Sequence, residues 1–270
     1  MTRPQEQSEE SRNLFEKAGA TVLIQPTIDI LPPNDWKPVD QAIQNISLFD
    51  WIIFSSSNGV HYFFQRFQTL MNQKQYINAK IVESDSSFYE NNLLNKNDAF
   101  INYWKNGKIK IAALGPGTVA AIQNLGLTVN LVPSEFSAAG MVAAFKREKE
   151  MKKRFLSIRA NRGRDVLKKG LLELGATVQE IIAYQSVDRK DYNPRILDLL
   201  NTNNIDAVII TSSAIARSLI QMFGESLRKT SLISISPITS KTIQENGFEV
   251  ALEAKKATLE NIVDLLKKEL

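Results

Sequence analysis

Cysteine is absent from the 270 residues, and histidine occurs once, at His61. The first absence excludes disulfides, thiolate metal sites and a cysteine nucleophile. It fits a reducing compartment, although exported chains can also lack cysteine. With one histidine, a Ser-His-Asp triad or a multi-histidine metal centre has to be built around His61 alone. No apolar run reaches the roughly 18 to 20 residues that a membrane-spanning helix needs. The opening MTRPQEQSEES is polar and acidic, unlike a secretory signal. No turn spells a Walker A or GxGxxG sequence, so nucleotide-binding signatures are missing. No basic stretch is interleaved with aromatics in the way of a nucleic-acid-binding motif.

What is present points to a folded α/β chain. Apolar residues make up 43%, enough for a sizeable core. Lys and Arg number 33 against 29 Asp and Glu, giving a net charge of +4 and a pI near 9.1. A mixed, solvated surface is the ordinary reading of that balance, and a basic cleft for a polyanion is the sharper one. The charged run at 146–154 reads as a solvated helix end.

Short β-branched runs alternate with longer amphipathic segments, the pattern of parallel α/β architecture. Strands are expected at Thr21–Gln25, Trp51–Phe54, Ile109–Leu114, Val129–Val132, from Phe155, up to Tyr184, at Ala207–Ile210, 231–235 and 249–252. Helices are expected at 5–18, 38–47, about ten residues from Val60, 119–125, 137–149, 195–201, 214–222, up to about Asn246, and 258–268. Pro26 and the pair Pro32–Pro33 mark one connector, and Ser186 to Pro194 a second. Residues 72–108, rich in Asn, Lys and Ser, break the alternation. Their aromatics Tyr76, Phe88, Tyr89, Phe100, Tyr103 and Trp104 read as cover for a local apolar patch.

The chain repeats itself. DWIIFSSS at Asp50 matches DAVIITSS at Asp206. The same spacing carries AGATV at Ala18 onto LGATV at Leu174, and Arg3 onto Arg159. GPGTVAAIQNLGLTVNL resembles SPITSKTIQENGFEVAL at a shorter spacing, with Pro116 on Pro237, Thr118 on Thr239 and Gly126 on Gly247. The first half therefore carries an insertion within 72–108. A duplicated unit predicts two similar domains with a cleft between them. Ligands of open parallel sheets bind where strands end and turns enter helices. Those turns fall at 2–8, 55–59, 115–118, 159–165, 211–214 and 236–239.

The turns are rich in Ser, Thr, Gly and Asn ahead of helices, where backbone N–H groups and a positive helix end suit carboxylate or phosphate oxygens. For any one serine, helix capping is the ordinary role. Gly115-Pro116-Gly117 is a weak match to a phosphate loop, since Pro116 has no N–H. Arg159, Arg162 and Arg164 could take carboxylates in bidentate fashion, or merely line a solvated loop. Tyr184, at a strand end, could be a general acid or hydrogen-bond donor, its ordinary pKa near 10 keeping it protonated. It could equally pack at a domain edge. His61 reads as a surface or half-buried structural residue.

Taken together, Thr2-Arg3-Pro4, FSSSNGV at 54–60, ALGPGT at 113–118, Arg159 before its loop, IIAYQS at 181–186 and ITSS at 210–213 resemble the uroporphyrinogen-III synthase family. The resemblance covers nearly the whole chain outside 72–108. It implies an α/β fold of two similar parallel-sheet, flavodoxin-like domains from an internal duplication, joined by two connectors. The first domain would be 1–28 plus 190–270 and the second 34–184, with connectors at 26–34 and 184–193. The implied reaction takes linear hydroxymethylbilane, loses water, inverts the last pyrrole ring through a spiro intermediate and closes the macrocycle, with no metal and no cofactor. On this resemblance Tyr184 is the catalytic proton donor. Arg3, Ser56, Ser57, Asn58, Gly115, Thr118, Arg159, Asn161, Arg162, Ser212, Ser213 and Thr239 bind the substrate. A polycarboxylate tetrapyrrole substrate, transient contact with hydroxymethylbilane synthase, a monomer and a cytoplasmic location are the remaining expectations, with no nucleic acid and no membrane. The chain departs from the pattern in three places, one being the insertion within 72–108, which is not a family feature. The family has an apolar strand before its TRP, so a start at MTRP would leave the first sheet short. Ser236 stands where the family has glycine. A two-domain small-molecule binding protein and a catalytically inactive family member are the alternatives.

Overall fold

The computed structural model describes residues 1–4, 8–81, 104 and 109–269, with backbone alone for Glu10 and for 72–81. Two compact units emerge: Met1–Leu31 with Ser186–Leu270, and Pro32–Gln185. The first unit opens with α1 (Ser8–Glu16) and β1 (Ile28–Leu31). The second holds α2 (Lys37–Gln44), β2 (Trp51–Phe54), α3 (Ser57–Ile81), β3 (Lys110–Ala113), α4 (Pro116–Gln123), α5 (Ala138–Arg147), β4 (Arg154–Ala160), α6 (Val166–Glu173) and most of β5 (Thr177–Asp188). The first unit then resumes with α7 (Pro194–Asn201), β6 (Ala207–Ile210), α8 (Ser213–Phe223), β7 (Ser231–Ser234), α9 (Pro237–Glu245), β8 (Leu252–Glu253) and α10 (Leu259–Glu269).

In the second unit β2 pairs in parallel with β3 on one side and β4 on the other, and β4 pairs with β5. The sheet order is β1-β5-β4-β2-β3, with β1 and the end of β5, Ser186 to Asp188, belonging to the first unit. All four residues of β2 are buried. That continuous apolar run is what a strand covered on both faces requires. Alternation sends Trp51 and Ile53 to one face, where they meet Met141, Ala144 and Phe145 of α5 and Leu167 and Leu171 of α6. Phe54 points to the other face and packs on Phe63 and Phe64 of α3. Phe145 sits edge-on between Trp51 and Phe155, at ring separations of 5.0 and 4.8 Å. A Cβ on Gly170 would lie 2.7 Å from Val142, so glycine is what allows α6 to approach α5 this closely.

The first unit carries the parallel order β6-β7-β8, with Ile209, Ile233, Ile262, Val263 and Phe15 in its core. No helix of the described residues is long and apolar enough to cross a membrane.

Four local expectations are corrected. Thr21–Gln25 forms no ladder strand. Among the described residues its backbone finds partners at Met1, whose amine donates to Leu23 O (2.8 Å) and whose carbonyl accepts from Gln25 N–H (2.9 Å). Between this segment and β6 lies a cavity of about 610 Å³, lined by Thr21, Val22 and Leu23 on one wall and Ala207, Val208 and Ile209 on another. A strand without a neighbour to share its ladder does not register as one, whatever its side chains favour. A strand forms instead inside the expected connector, at β1, where Ile28 and Ile30 are buried between the flanking prolines. Val129–Val132 shrinks to one bridge, Ala112 to Leu131, because the Asn130 side chain takes the Ile111 N–H that a longer ladder would use. Likewise 249–252 reduces to Leu252–Glu253.

The helix after β2 is longer than its expected ten residues, running from Ser57 to Ile81. His61 on it is exposed. Of the 72–108 aromatics, Trp104 is buried and packs on Phe64 and Phe67 at 5.2 and 5.4 Å. The side chains of Tyr76, Phe88, Tyr89, Phe100 and Tyr103, and residues 5–7 of the first turn, lie outside the described residues.

Candidate active site

Polar turns leave the carboxyl ends of β2 and β4 beside the last part of β5. Ser56 caps α3, its Oγ accepting the Gly59 N–H at 3.1 Å. The Ser56 Oγ lies 2.8 Å from the Tyr184 hydroxyl. The Asn58 side chain also hydrogen-bonds that phenol. Tyr184 is 7% exposed, yet regular alternation would place it on the face of Ile182, which is 46% exposed. A bulge explains the difference. Arg159 pairs with Ile182, but the next residue, Ala160, pairs with Tyr184, leaving Ala183 as the extra residue of β5. Such a bulge re-aims the side chains beyond it. Asn161 N–H then fastens the β4 turn to the Tyr184 carbonyl at 3.1 Å. Burial pushes the phenol above its ordinary pKa, while Ser56, Asn58 and the Arg159 charge pull the other way. The phenol therefore keeps its proton at neutral pH and can give it only to a strongly demanding acceptor.

Arg159 is occupied within its own unit. Its Nη1 donates to Glu180 (2.9 Å) and to Asp165 (3.2 Å). Glu180 is largely covered and Asp165 is exposed. Gly163 has φ +142°, a backbone conformation that favours glycine, and a Cβ there would lie 2.7 Å from the Arg159 guanidinium. Both bonds use Nη1, so the pairing with Asp165 and Glu180 does not involve Nη2 or Nε. Arg162 is half-buried and Arg164 exposed.

The remaining predicted residues fall into two groups. In the second unit Gly115 caps α4 with extended backbone, Ser57 opens α3, and Thr118 is only 6% exposed. In the first unit Ser212 caps α8 by accepting the Ile215 N–H at 3.2 Å, and Ser213 Oγ accepts from Thr242 at 2.7 Å. Thr239 is 2% exposed beside Ser236, which caps α9. Arg3 donates to Ser11 Oγ at 2.8 Å. Capping, the ordinary role for a turn serine, is thus realised at Ser56, Ser212 and Ser236, and at Ser137 for α5.

Three residues of this neighbourhood escaped the sequence reading. Tyr62 lies nearly parallel to the Tyr184 ring, 11° off plane at 6.0 Å. Its position one turn after Asn58 on a helix leaving the site was the available signal. Glu180 and Asp165 carried no signal, because pairing with Arg159 depends on the β4–β5 register.

The family Uroporphyrinogen-III synthase HemD matches residues 9–264. A uroporphyrinogen-III synthase from Synechococcus elongatus is 27% identical over 97% of this chain and 91% of its own length. A mutant uroporphyrinogen III synthase from the extremely thermophilic bacterium Thermus thermophilus shares the fold with a TM-score of 0.59 at 14% identity, covering 99% of this chain and 98% of that one. The uroporphyrinogen-III synthetase of Helicobacter pylori gives 0.56 at 20%, covering 93% and 94%. At such identities the structural likeness concerns the α/β fold, whereas the family match runs through both units of the sequence. The chain belongs to the uroporphyrinogen-III synthase family.

Proposed function

We propose that Tyr184 is the proton donor with which this chain converts linear hydroxymethylbilane into its macrocycle. Membership of the family makes the chain a cyclising lyase of tetrapyrrole biosynthesis. The observation that carries the finer reading is the buried phenol held by Ser56 at the end of β2. The phenol proton passes to the hydroxyl oxygen of the substrate. The C–O bond breaks with its electron pair on that oxygen, and water leaves. The neighbouring pyrrole nitrogen supplies electrons to the carbon and keeps its proton, giving the cationic azafulvenium electrophile. The last ring attacks through the spiro intermediate and is inverted. The proton released on closure returns to the Tyr184 phenolate. Positioning of a folded chain and one well-placed acid are the contributions this scheme asks of the protein.

The substrate's carboxylates are assigned to the turns: Ser57, Asn58, Gly115, Thr118, Asn161 and Arg162 in one unit, and Arg3, Ser212, Ser213 and Thr239 in the other. Arg159 joins them through the guanidinium nitrogens that Asp165 and Glu180 leave unused. Helix N-termini at these turns support the assignment, since they present N–H groups and a positive end. The reading includes an internal duplication, supported by the matched spacing of Asp50 to Asp206 and Arg3 to Arg159. It assigns 1–28 with 190–270 and 34–184 as the two domains. It also keeps a monomer that takes substrate through transient contact with hydroxymethylbilane synthase.

The test is to supply purified protein with hydroxymethylbilane and resolve the oxidised product isomers. Type III product above the spontaneous rate is expected. Type I alone, at that rate, would overturn the reading.

A further inference from the structure

Once Tyr184 has given up its proton, a buried phenolate remains, and we propose that Ser56 is the positioning residue that stabilises it by donating its hydroxyl hydrogen. This inference rests on the reading of Tyr184 as the acid. It changes the role of Ser56 from substrate ligand to partner of the acid.

A phenolate has no hydrogen to offer, so each neighbour must donate to it. The Ser56 Oγ already accepts the Gly59 N–H in the cap of α3. That bond uses one lone pair and leaves the hydroxyl hydrogen available to Tyr184, 2.8 Å away. While Tyr184 is still a phenol, the pair can point the other way, because Ser56 keeps a second lone pair. A single rotation of the Ser56 hydroxyl therefore follows the departing proton. The capping bond fixes the oxygen so that the rotation needs no movement of the backbone. The N-terminal end of α3 adds its partial positive charge at the same point.

Other groups near the phenol act beside this one. Asn58 is a second neutral donor. Arg159 brings positive charge, but Glu180 and Asp165 share it. Tyr62 lies nearly parallel to the Tyr184 ring. Tyr184 is 7% exposed, which limits rescue by water. Hydrogen bonds to a charged group are the strong class, and losing one in a buried setting is correspondingly costly.

The experiment is a double-mutant cycle of Ser56→Ala and Tyr184→Phe, with kcat and KM measured on hydroxymethylbilane. Ser56→Ala should lower kcat about 10- to 100-fold with KM within about twofold. Ser56→Thr, which keeps the hydroxyl, should restore most of kcat. The double variant should be no slower than Tyr184→Phe alone, since without a phenol there is no phenolate to stabilise. If Ser56→Ala fails to fold, Ser56→Gly removes the hydroxyl at a position where N-caps tolerate glycine. A raised KM with unchanged kcat, or an additive double variant, would overturn the inference while leaving Tyr184 as the acid. An unchanged kcat in Tyr184→Phe would overturn the acid reading, and this one with it.

Discussion

The turn after β2 and the turn after β6 are built alike and surrounded differently. Both follow a buried strand in DWIIFSSS and DAVIITSS. In both, the second turn residue caps the next helix: Ser56 accepts from Gly59 N–H, and Ser212 accepts from Ile215 N–H. At the spacing that relates these segments, Asn58 corresponds to Ala214 and Tyr184 to Ile28. One copy thus presents a phenol and an amide where the other presents two apolar side chains, and Ile28 is as buried as Tyr184. A cap is a local device that any such turn can carry. The difference between the turns comes from what a neighbouring strand places against the cap.

The largest expected break in this comparison is Tyr184→Phe. It should cost about 100- to 10,000-fold in kcat, the range of a general acid. Ile28→Val, at the corresponding position, should cost only about 0.5–1.5 kcal/mol of stability and leave kcat unchanged. Steady-state kinetics with parallel urea unfolding separates the two. Equal effects on kcat would remove the distinction between the turns.

Phe145→Ala tests whether the scaffold behind the Tyr184 turn carries its weight. Phe145 is fully buried against Trp51 and Phe155, so about 3–5 kcal/mol of stability should be lost. Chemical denaturation would show it.

A smaller effect belongs to the first unit alone. The Met1 amine is desolvated, and its pKa falls to about 6 from the ordinary 8.0. The folded state therefore resists protonation between those values. The unfolded chain binds more protons there, so stability should rise as pH goes from 6 to 8. Below pH 6 the cost is complete, and above pH 8 it is gone. The span amounts to about 2–3 kcal/mol. Urea midpoints at the two pH values, compared with those of N-terminally acetylated protein, isolate the amine from every other titrating group.

The smallest effect is Ser212→Ala. It should cost about 1 kcal/mol as a lost cap. Its effect on kcat should be far below that of Ser56→Ala. A matching loss of kcat would mean that Ser212 also acts on the reacting atoms.

Much of the site was legible because it depends on short-range chemistry. Ser-rich turns after apolar strands announce caps, and Ser56 and Ser212 became caps. Tyr184 could be singled out at a strand end but not aimed. The bulge at Ala183 turns it inward, and no residue near it signals a bulge. Arg159 was visible as a cation beside a helix. Its occupation by Glu180 and Asp165 follows from β4–β5 pairing, which has no signature at Glu180.

By itself the sequence determined the alternation of strands and helices, the buried runs of β2 and β6, the capping serines and the family. These follow from periodicity, local hydrogen bonding and motif order, all of which act over a few residues. Tertiary structure decided the rest. Thr21–Gln25 has the side chains of a strand but too little ladder to be one, whereas Ile28–Leu31, between prolines, becomes β1. A strand is a property of two neighbours. So is the setting of a phenol, because Tyr184 owes its burial and its bond to Ser56 to a register shift that only the paired sheet can make.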